Sequence, residues 1–188
     1  MQISTKYGFA FLCMPKCAST SIEVAIKPHC NINYAGHPIL KHMDARTFNK
    51  WVLPPCEQAN PHIESICLMR DPLDWIESWY RYRTRDGLIR HKNYTGDISY
   101  NEFITRYIAG ETGIDNQFNF QIGIDRIIPL TRIDLFSKFI SKKIGTKIVI
   151  PKLNVSPGKR TYLDPILKKN LIKHLSKDIN LYKSIENL

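Results

Sequence analysis

The segment "MPKCASTS", residues 14–21, collects side chains that bind phosphate. Lys16 supplies a positive charge, and hydroxyl groups follow at Ser19, Thr20 and Ser21. A helix that begins near Thr20 would add free backbone N–H groups and the positive end of its dipole, which together suit a phosphate. The segment therefore predicts an anion site. The candidate members of this site are Pro15, Lys16, Cys17, Ala18, Ser19, Thr20 and Ser21.

The same segment has other interpretations. Thr20 and Glu23 have the spacing of a capping box, so a hydroxyl could cap the helix, and Lys16 could be an ordinary surface lysine. A Walker A loop requires G-x-x-x-x-G-K-[ST], whereas this segment has no glycine and its lysine precedes the hydroxyls. The difference argues against an ATPase or GTPase and leaves both anion binding and helix capping open.

A second candidate anion site lies in "RDPLDWIESWY", residues 70–80. Arg70 follows an apolar run, and Asp71-Pro72 is a helix start signal. A guanidinium binds phosphate through two hydrogen bonds, and Ser78 follows near the end of the second helical turn. The alternative is an ion pair between Arg70 and a carboxylate, with Ser78 an ordinary helical residue.

Aromatic and basic residues recur along the same helical pattern. Trp75 and Trp79 are four residues apart, which indicates core positions rather than a platform for a ligand. Arg81, Arg83 and Arg85 indicate a solvated face, with contact to an acidic substrate as the alternative.

The elements that must position these residues are strands alternating with helices. Apolar runs predict strands at 7–14, 63–70 and 125–132. Helical patterns occupy 19–27, 45–53 (ended by Pro54-Pro55), 71–85, 98–109, 135–145 and 164–188. The alternation predicts an α/β fold, with a central parallel sheet flanked by helices, in a single domain spanning residues 1–188. Ligands of such sheets bind beyond the carboxyl ends of the strands, where both candidate sites fall.

The composition narrows the classes of partner. Hydrophobic residues make up 43% of the chain, which is typical of a globular protein. The net charge of +10 favours an anionic partner: a nucleic acid, a membrane surface, a nucleotide or an acidic glycan. No apolar run reaches the length of a membrane span. The five cysteines have no zinc-site spacing, so we expect reduced thiols, no metal and a cytoplasmic location.

The two anion motifs, in this order and each at a strand–helix junction, resemble those of the PAPS-dependent sulfotransferases, especially the carbohydrate-type branch of Golgi and bacterial enzymes. "MPKCASTS" resembles the 5′-phosphosulfate loop of that family, and "RDPLDWIESWY" resembles its 3′-phosphate motif. Similar later segments are "LTRIDLFSKFISKKIG", "PKLNVSPGKRTYL" and "SKDINLYKSI". The resemblance runs from about residue 8 to the C-terminus and implies a P-loop-kinase-like sulfotransferase fold.

The resemblance also implies roles for individual residues. PAPS would be the cofactor, with no metal required. Lys16 would contact the 5′-phosphosulfate and stabilise the leaving phosphate, which residues 19–21 would cradle. Arg70 and Ser78 would hold the 3′-phosphate, and Arg160 would add to that site. The acceptor would be a hydroxyl of a carbohydrate or a small metabolite, and no nucleic acid is expected.

Such enzymes often place a catalytic histidine or acid between the two motifs. Here "AGHPILKHMDARTF" supplies His37 and His42. His42, shortly before a short helix, is the closer match, so the expected catalytic residues are Lys16, His42 and, second, His37. Asp44 and Glu64 are further candidates for the base. A structural or surface role is the alternative for either histidine.

Two other functions remain open at this point. One is a P-loop-like nucleotide kinase or phosphate-binding enzyme, against which the missing glycines argue. The other is a non-catalytic polyanion-binding protein, which the net charge motivates. The loop 86–98 and the segment 110–124 are polar enough to line a sugar site. One departure from the sulfotransferase pattern is Lys152, at a position where sequences of that family often carry a histidine.

Overall fold

The computed structural model describes residues 1–153 and 161–186 as strands and helices in alternation. The strands are β1 (Gln2–Ser4), β2 (Phe9–Phe11), β3 (Ile32–Asn33), β4 (Glu64–Met69) and β5 (Arg126–Pro129). The α-helices are α1 (Ser19–Ile26), α2 (Pro38–Lys41), α3 (Ala45–Trp51), α4 (Leu53–Ala59), α5 (Pro72–Arg83), α6 (Tyr100–Ile108), α7 (Gln117–Gln121), α8 (Ile133–Ile144), α9 (Pro165–His174) and α10 (Ser176–Glu186). Short 3₁₀ helices cover Lys27–His29, Asp86–Leu88 and Leu130–Arg132.

The strands form an open sheet in the order β3-β1-β2-β4-β5. Strands β2, β4 and β5 run parallel, whereas β1 is antiparallel to both of its neighbours. The predicted α/β class is confirmed, but the prediction of a parallel sheet is wrong, because the sheet is mixed. Only residues 5–8 connect β1 to β2. This connection is too short for a parallel crossover, so the two strands pair as a hairpin.

Both faces of the sheet are buried under helices. Successive strand residues point to opposite faces, so Phe9 and Ala10 belong to different hydrophobic clusters. Phe9 packs in the cluster that contains Trp75 of α5 and Phe136 of α8. Ala10 packs in the cluster that contains Phe48 of α3. Burial on both faces explains why the central strands are continuous apolar runs in the sequence.

Several helix boundaries follow the predicted signals. Asp71 caps α5 by accepting hydrogen bonds from the backbone N–H groups of Leu73 and Asp74. Gly145, in the left-handed region at φ 73°, ends α8. The 164–188 segment forms two helices within its described part, α9 and α10. These boundaries confirm the predictions made from the sequence. They could be predicted because a helix cap depends on only a few adjacent residues.

Two boundary predictions are wrong. The capping box at Thr20 does not form, because α1 begins after Ala18 and no side chain caps it. The helix predicted over 45–53 is also not ended by its prolines. Helix α3 stops at Trp51, and Pro54 lies in the first turn of α4. A proline is tolerated there because the N–H it lacks would have no partner in the helix.

The cysteines are all free thiols, and Cys13 and Cys67 are fully buried. Both therefore serve as small core residues. Among the helices of the described residues, none combines the length and the apolar character needed to cross a bilayer.

Candidate functional site

The carboxyl ends of the parallel strands open into a cavity of about 890 Å³, here called the larger cavity. Strand β2 leads into the loop at residues 15–18, β4 leads to Arg70, and β5 leads to Leu130. Because parallel strands present the same end at one sheet edge, these segments meet. Most of the predicted anion-site residues line this cavity: Pro15, Lys16, Ala18, Ser19, Thr20, Ser21, Arg70 and Ser78.

The loop before α1 has an unusual backbone. Lys16 and Ala18 have φ values of 65° and 55°, in the left-handed region that favours glycine. Non-glycine residues pay a steric cost there, and such strain clusters at binding sites. No described acceptor bonds the backbone N–H groups of residues 18–21. Successive free N–H groups of this kind form an anion-binding nest.

The hydroxyl groups of the loop differ in their surroundings. Ser21 Oγ accepts a hydrogen bond from the backbone N–H of Leu153 at 3.1 Å, so it ties α1 to the chain beyond α8. Ser19 is buried and Thr20 is exposed, and neither hydroxyl bonds a described group. Ser19 and Thr20 are therefore the hydroxyls that remain available to a ligand.

Lys16 stands in a cationic and aromatic environment. Its Nζ atom lies 4.1 Å from the centroid of the Tyr82 ring, and Arg85 contacts the same ring. Burial, together with the positive charges of Arg85 and Arg70, lowers the pKa of Lys16 to about 8. No described carboxylate forms an ion pair with Lys16, Arg70 or Arg85. The alternative of an ion pair for Arg70 is therefore not observed among the described residues, although Asp71 and Asp74 also line the larger cavity.

Arg70 is positioned by Gln117, a residue that no sequence motif marks. The side-chain amide of Gln117, the first residue of α7, donates to the Arg70 carbonyl at 2.9 Å and accepts from its N–H at 3.1 Å. Gln117 is fully buried. The thiol of Cys17 donates to the same amide oxygen at 3.5 Å. Cys17 thus supports the loop from the core and does not line the larger cavity.

Beside the larger cavity lies a second one of about 460 Å³, here called the smaller cavity. The two cavities share Pro15, His42 and Trp79 in their walls. Much of the lining comes from residues 113–120, which lie within the segment 110–124, whereas the loop 86–98 contributes none. Trp79 packs against the main core cluster, which confirms its predicted core position, and it also borders both cavities.

His42 occupies the boundary between the cavities. Its Nδ1 atom lies 2.6 Å from the carbonyl oxygen of Cys13. A carbonyl can only accept, so Nδ1 carries the hydrogen and Nε2 keeps its lone pair. Burial lowers the pKa of His42 in spite of this hydrogen bond, so the ring is neutral at pH 7. The imidazole is therefore held as a potential base.

The other candidates for the base lie elsewhere. His37 is exposed, accepts from the Ile39 N–H at the start of α2, and lines neither cavity. Glu64 is the first residue of β4, at the amino ends of the parallel strands and so away from the cavities, and it pairs with Arg126 and Lys143. Of the two candidate acids, Asp44 and Glu64, only Asp44 lines the smaller cavity.

Arg160 lies outside the described residues, as do Asn154 and Ser156 of the sulfotransferase-like segment "PKLNVSPGKRTYL". Within residues 1–153 and 161–186, no three histidine, cysteine, aspartate or glutamate side chains group as a metal site. Comparison of the chain with protein-family models, curated proteins and solved structures gives no match. The function therefore has to be argued from the geometry of the two cavities.

Proposed function

We propose that the protein is a sulfotransferase that moves a sulfuryl group from PAPS to a hydroxyl of a carbohydrate or small metabolite, on a P-loop-kinase-like sulfotransferase fold. The observation that carries this proposal is that a cavity suited to a nucleotide and a smaller cavity share His42 in their walls. A transferase requires two binding spaces whose contents meet at a catalytic group.

The larger cavity has two groups suited to the two phosphate positions of PAPS. The backbone N–H groups of residues 18–21, with Ser19, Thr20 and Lys16, suit the 5′-phosphosulfate. Arg70, just after β4, and Ser78, on α5, suit the 3′-phosphate. Because these groups come from separate strand–helix junctions, they can grip two phosphates at once.

Bound PAPS supplies an activated sulfuryl group. The protein's own residues then position the acceptor and stabilise charge, as in phosphoryl transfer. His42 Nε2 takes the proton of the acceptor hydroxyl, since Nδ1 is already committed to Cys13. Lys16 stabilises the negative charge that develops on the leaving phosphate.

The smaller cavity suits the acceptor. Its walls combine aromatic faces, such as Trp75 and Phe120, with the polar side chains of Asp115 and Asn119. Aromatic surfaces with a few polar groups are the usual lining of a small-molecule site. A sugar presents both apolar ring faces and hydroxyl groups, which matches this composition.

The proposal is tested by measuring the melting temperature with PAP, AMP or ATP in the presence of EDTA. We expect PAP to raise the melting temperature without a metal and well above the effect of AMP, which lacks the 3′-phosphate. Arg70→Gln should weaken PAP binding by about tenfold or more, with little change for AMP. The exposed Arg106 provides the control variant Arg106→Gln.

Other outcomes favour the alternative functions. A larger effect of ATP than of PAP would favour a nucleotide kinase. Strongly salt-dependent DNA binding without PAP binding would favour a polyanion-binding protein. If PAP binds, transfer of labelled sulfate from PAPS to a panel of sugars then tests the reaction itself.

A further inference from the structure

Arg83 is a buried cation that pairs with no carboxylate of the described residues. It is the last residue of α5, and only 7% of its surface is exposed. It lines the smaller cavity. The sequence interpretation of Arg83 as part of a solvated face is therefore wrong.

The contacts of Arg83 fix its position without neutralising it. Nη1 donates to the carbonyl of Thr112 at 3.0 Å, and the guanidinium lies 5.5 Å from the centroid of the Trp79 ring. The carbonyl ends of α5 add a further partial negative charge. Each of these partners carries only a partial charge, whereas burial of a full charge is costly. Burial accordingly lowers the pKa of Arg83.

The carboxylates of the smaller cavity have other roles. Asp44 caps α3 by accepting from the Thr47 N–H. Asp115 is exposed and accepts from Asn116 and from the side chain of Asn119. Solvent screens charges at such an exposed position far more than charges inside the cavity. Arg83 is therefore the buried charge of this lining, since Asp44 is only half-buried and Arg46 is exposed.

We infer that the acceptor carries an oxyanion, such as a carboxylate or an ester sulfate, and that Arg83 binds it. This inference rests on the proposed function, because it assigns the smaller cavity to the acceptor. The guanidinium donates to the oxyanion through N–H groups other than those bonded to Thr112, in the geometry that arginine prefers. Neutral sugars of the same shape leave the buried charge uncompensated and bind more weakly.

The inference is tested with two probes that differ in one group, 4-nitrophenyl glucuronide and 4-nitrophenyl glucoside. Trp75 and Trp79 line the smaller cavity, so quenching of tryptophan fluorescence reports binding. With PAP present, the wild type should bind the glucuronide about tenfold or more tightly than the glucoside, as expected for a charged hydrogen bond. Equal binding of the two probes by the wild type would overturn the inference without any variant.

Variants show whether Arg83 causes the preference for the glucuronide over the glucoside. Arg83→Gln should bring the ratio of the two affinities close to one, and Arg83→Lys should keep part of it. The control Arg90→Gln, at an exposed residue that lines neither cavity, should keep the full ratio. An unchanged ratio in Arg83→Gln, with PAP affinity and circular dichroism preserved, contradicts the inference.

The same experiment separates this inference from the proposed function. If PAP fails to bind, the proposed function fails, and the probes are then compared in the absence of PAP. Arg70→Gln is added there to test whether the glucuronide enters the larger cavity instead. A preference that depends on Arg83 but not on Arg70 supports an oxyanion site in the smaller cavity. A preference that depends on Arg70 alone overturns the inference that Arg83 binds the oxyanion.

Discussion

Gln117 holds the backbone of Arg70 through both ends of its side-chain amide, at 2.9 Å and 3.1 Å. The same amide oxygen accepts from the thiol of Cys17. One buried side chain of α7 thus links the end of β4 to the loop before α1. Its helix neighbour Asn119 lines the smaller cavity. Helix α7 therefore supports residues of both cavities, which also have lining residues in common.

Replacement of Gln117 tests this shared support. Gln117→Ala leaves the Arg70 N–H and carbonyl without their partners, so we expect a loss of stability of about 1–3 kcal/mol and weaker PAP binding. Gln121→Ala is the matched control, because Gln121 is equally buried on α7 and donates to the Leu68 carbonyl. It should lower stability but not PAP affinity. Urea denaturation and PAP titration measure the two effects.

Lys16 should make the free protein less stable below pH 8. Its pKa is lowered from 10.5 to about 8, so between these values the unfolded chain binds more protons and stability rises with pH. Lys16→Met should therefore raise the urea midpoint at pH 7, and this gain in stability should disappear as the pH approaches 10.5. The same variant should weaken PAP binding. Lys92→Met, at an exposed site, is the control. A lower midpoint for Lys16→Met at pH 7 contradicts the prediction.

His42 should control turnover and its pH dependence. The pKa of His42 is lowered from 6.5, and the base must be neutral to accept a proton. The rate should therefore fall only as the pH drops below 6.5. His42→Ala should reduce kcat by about 10²–10⁴-fold while PAP still binds. His37→Ala should leave kcat unchanged, because His37 lines neither cavity, and the opposite pattern would reassign the base.

Ala18 should tolerate glycine unusually well. The left-handed backbone of Ala18 costs an alanine about 1–2 kcal/mol, which glycine avoids. Glycine in turn gains entropy in the unfolded chain. We expect Ala18→Gly to be neutral or about 1 kcal/mol more stable. Ala25→Gly, within the same helix α1, should lose about 1 kcal/mol. Denaturation midpoints of the pair are compared, and equal losses would argue against strain at Ala18.

The sequence by itself determined the features that depend on adjacent residues. Apolar runs marked β2, β4 and β5, and Asp71 marked the start of α5. Because the carboxyl ends of parallel strands lie together, these local signals also placed Lys16, residues 18–21 and Arg70 around one cavity. Their assignment to PAPS stays a prediction, and Arg160 lies outside the described residues.

Only the tertiary structure decided the contacts between distant parts of the chain. The hairpin of β1 and β2 escaped prediction because β1 is too short to show a periodic pattern. Helical spacing could not show that Trp79 and Arg83 border a cavity. Gln117 reaches Arg70 across 47 positions, and His42 reaches Cys13 across 29. Such pairings depend on how the helices pack on the sheet, and no local pattern encodes them.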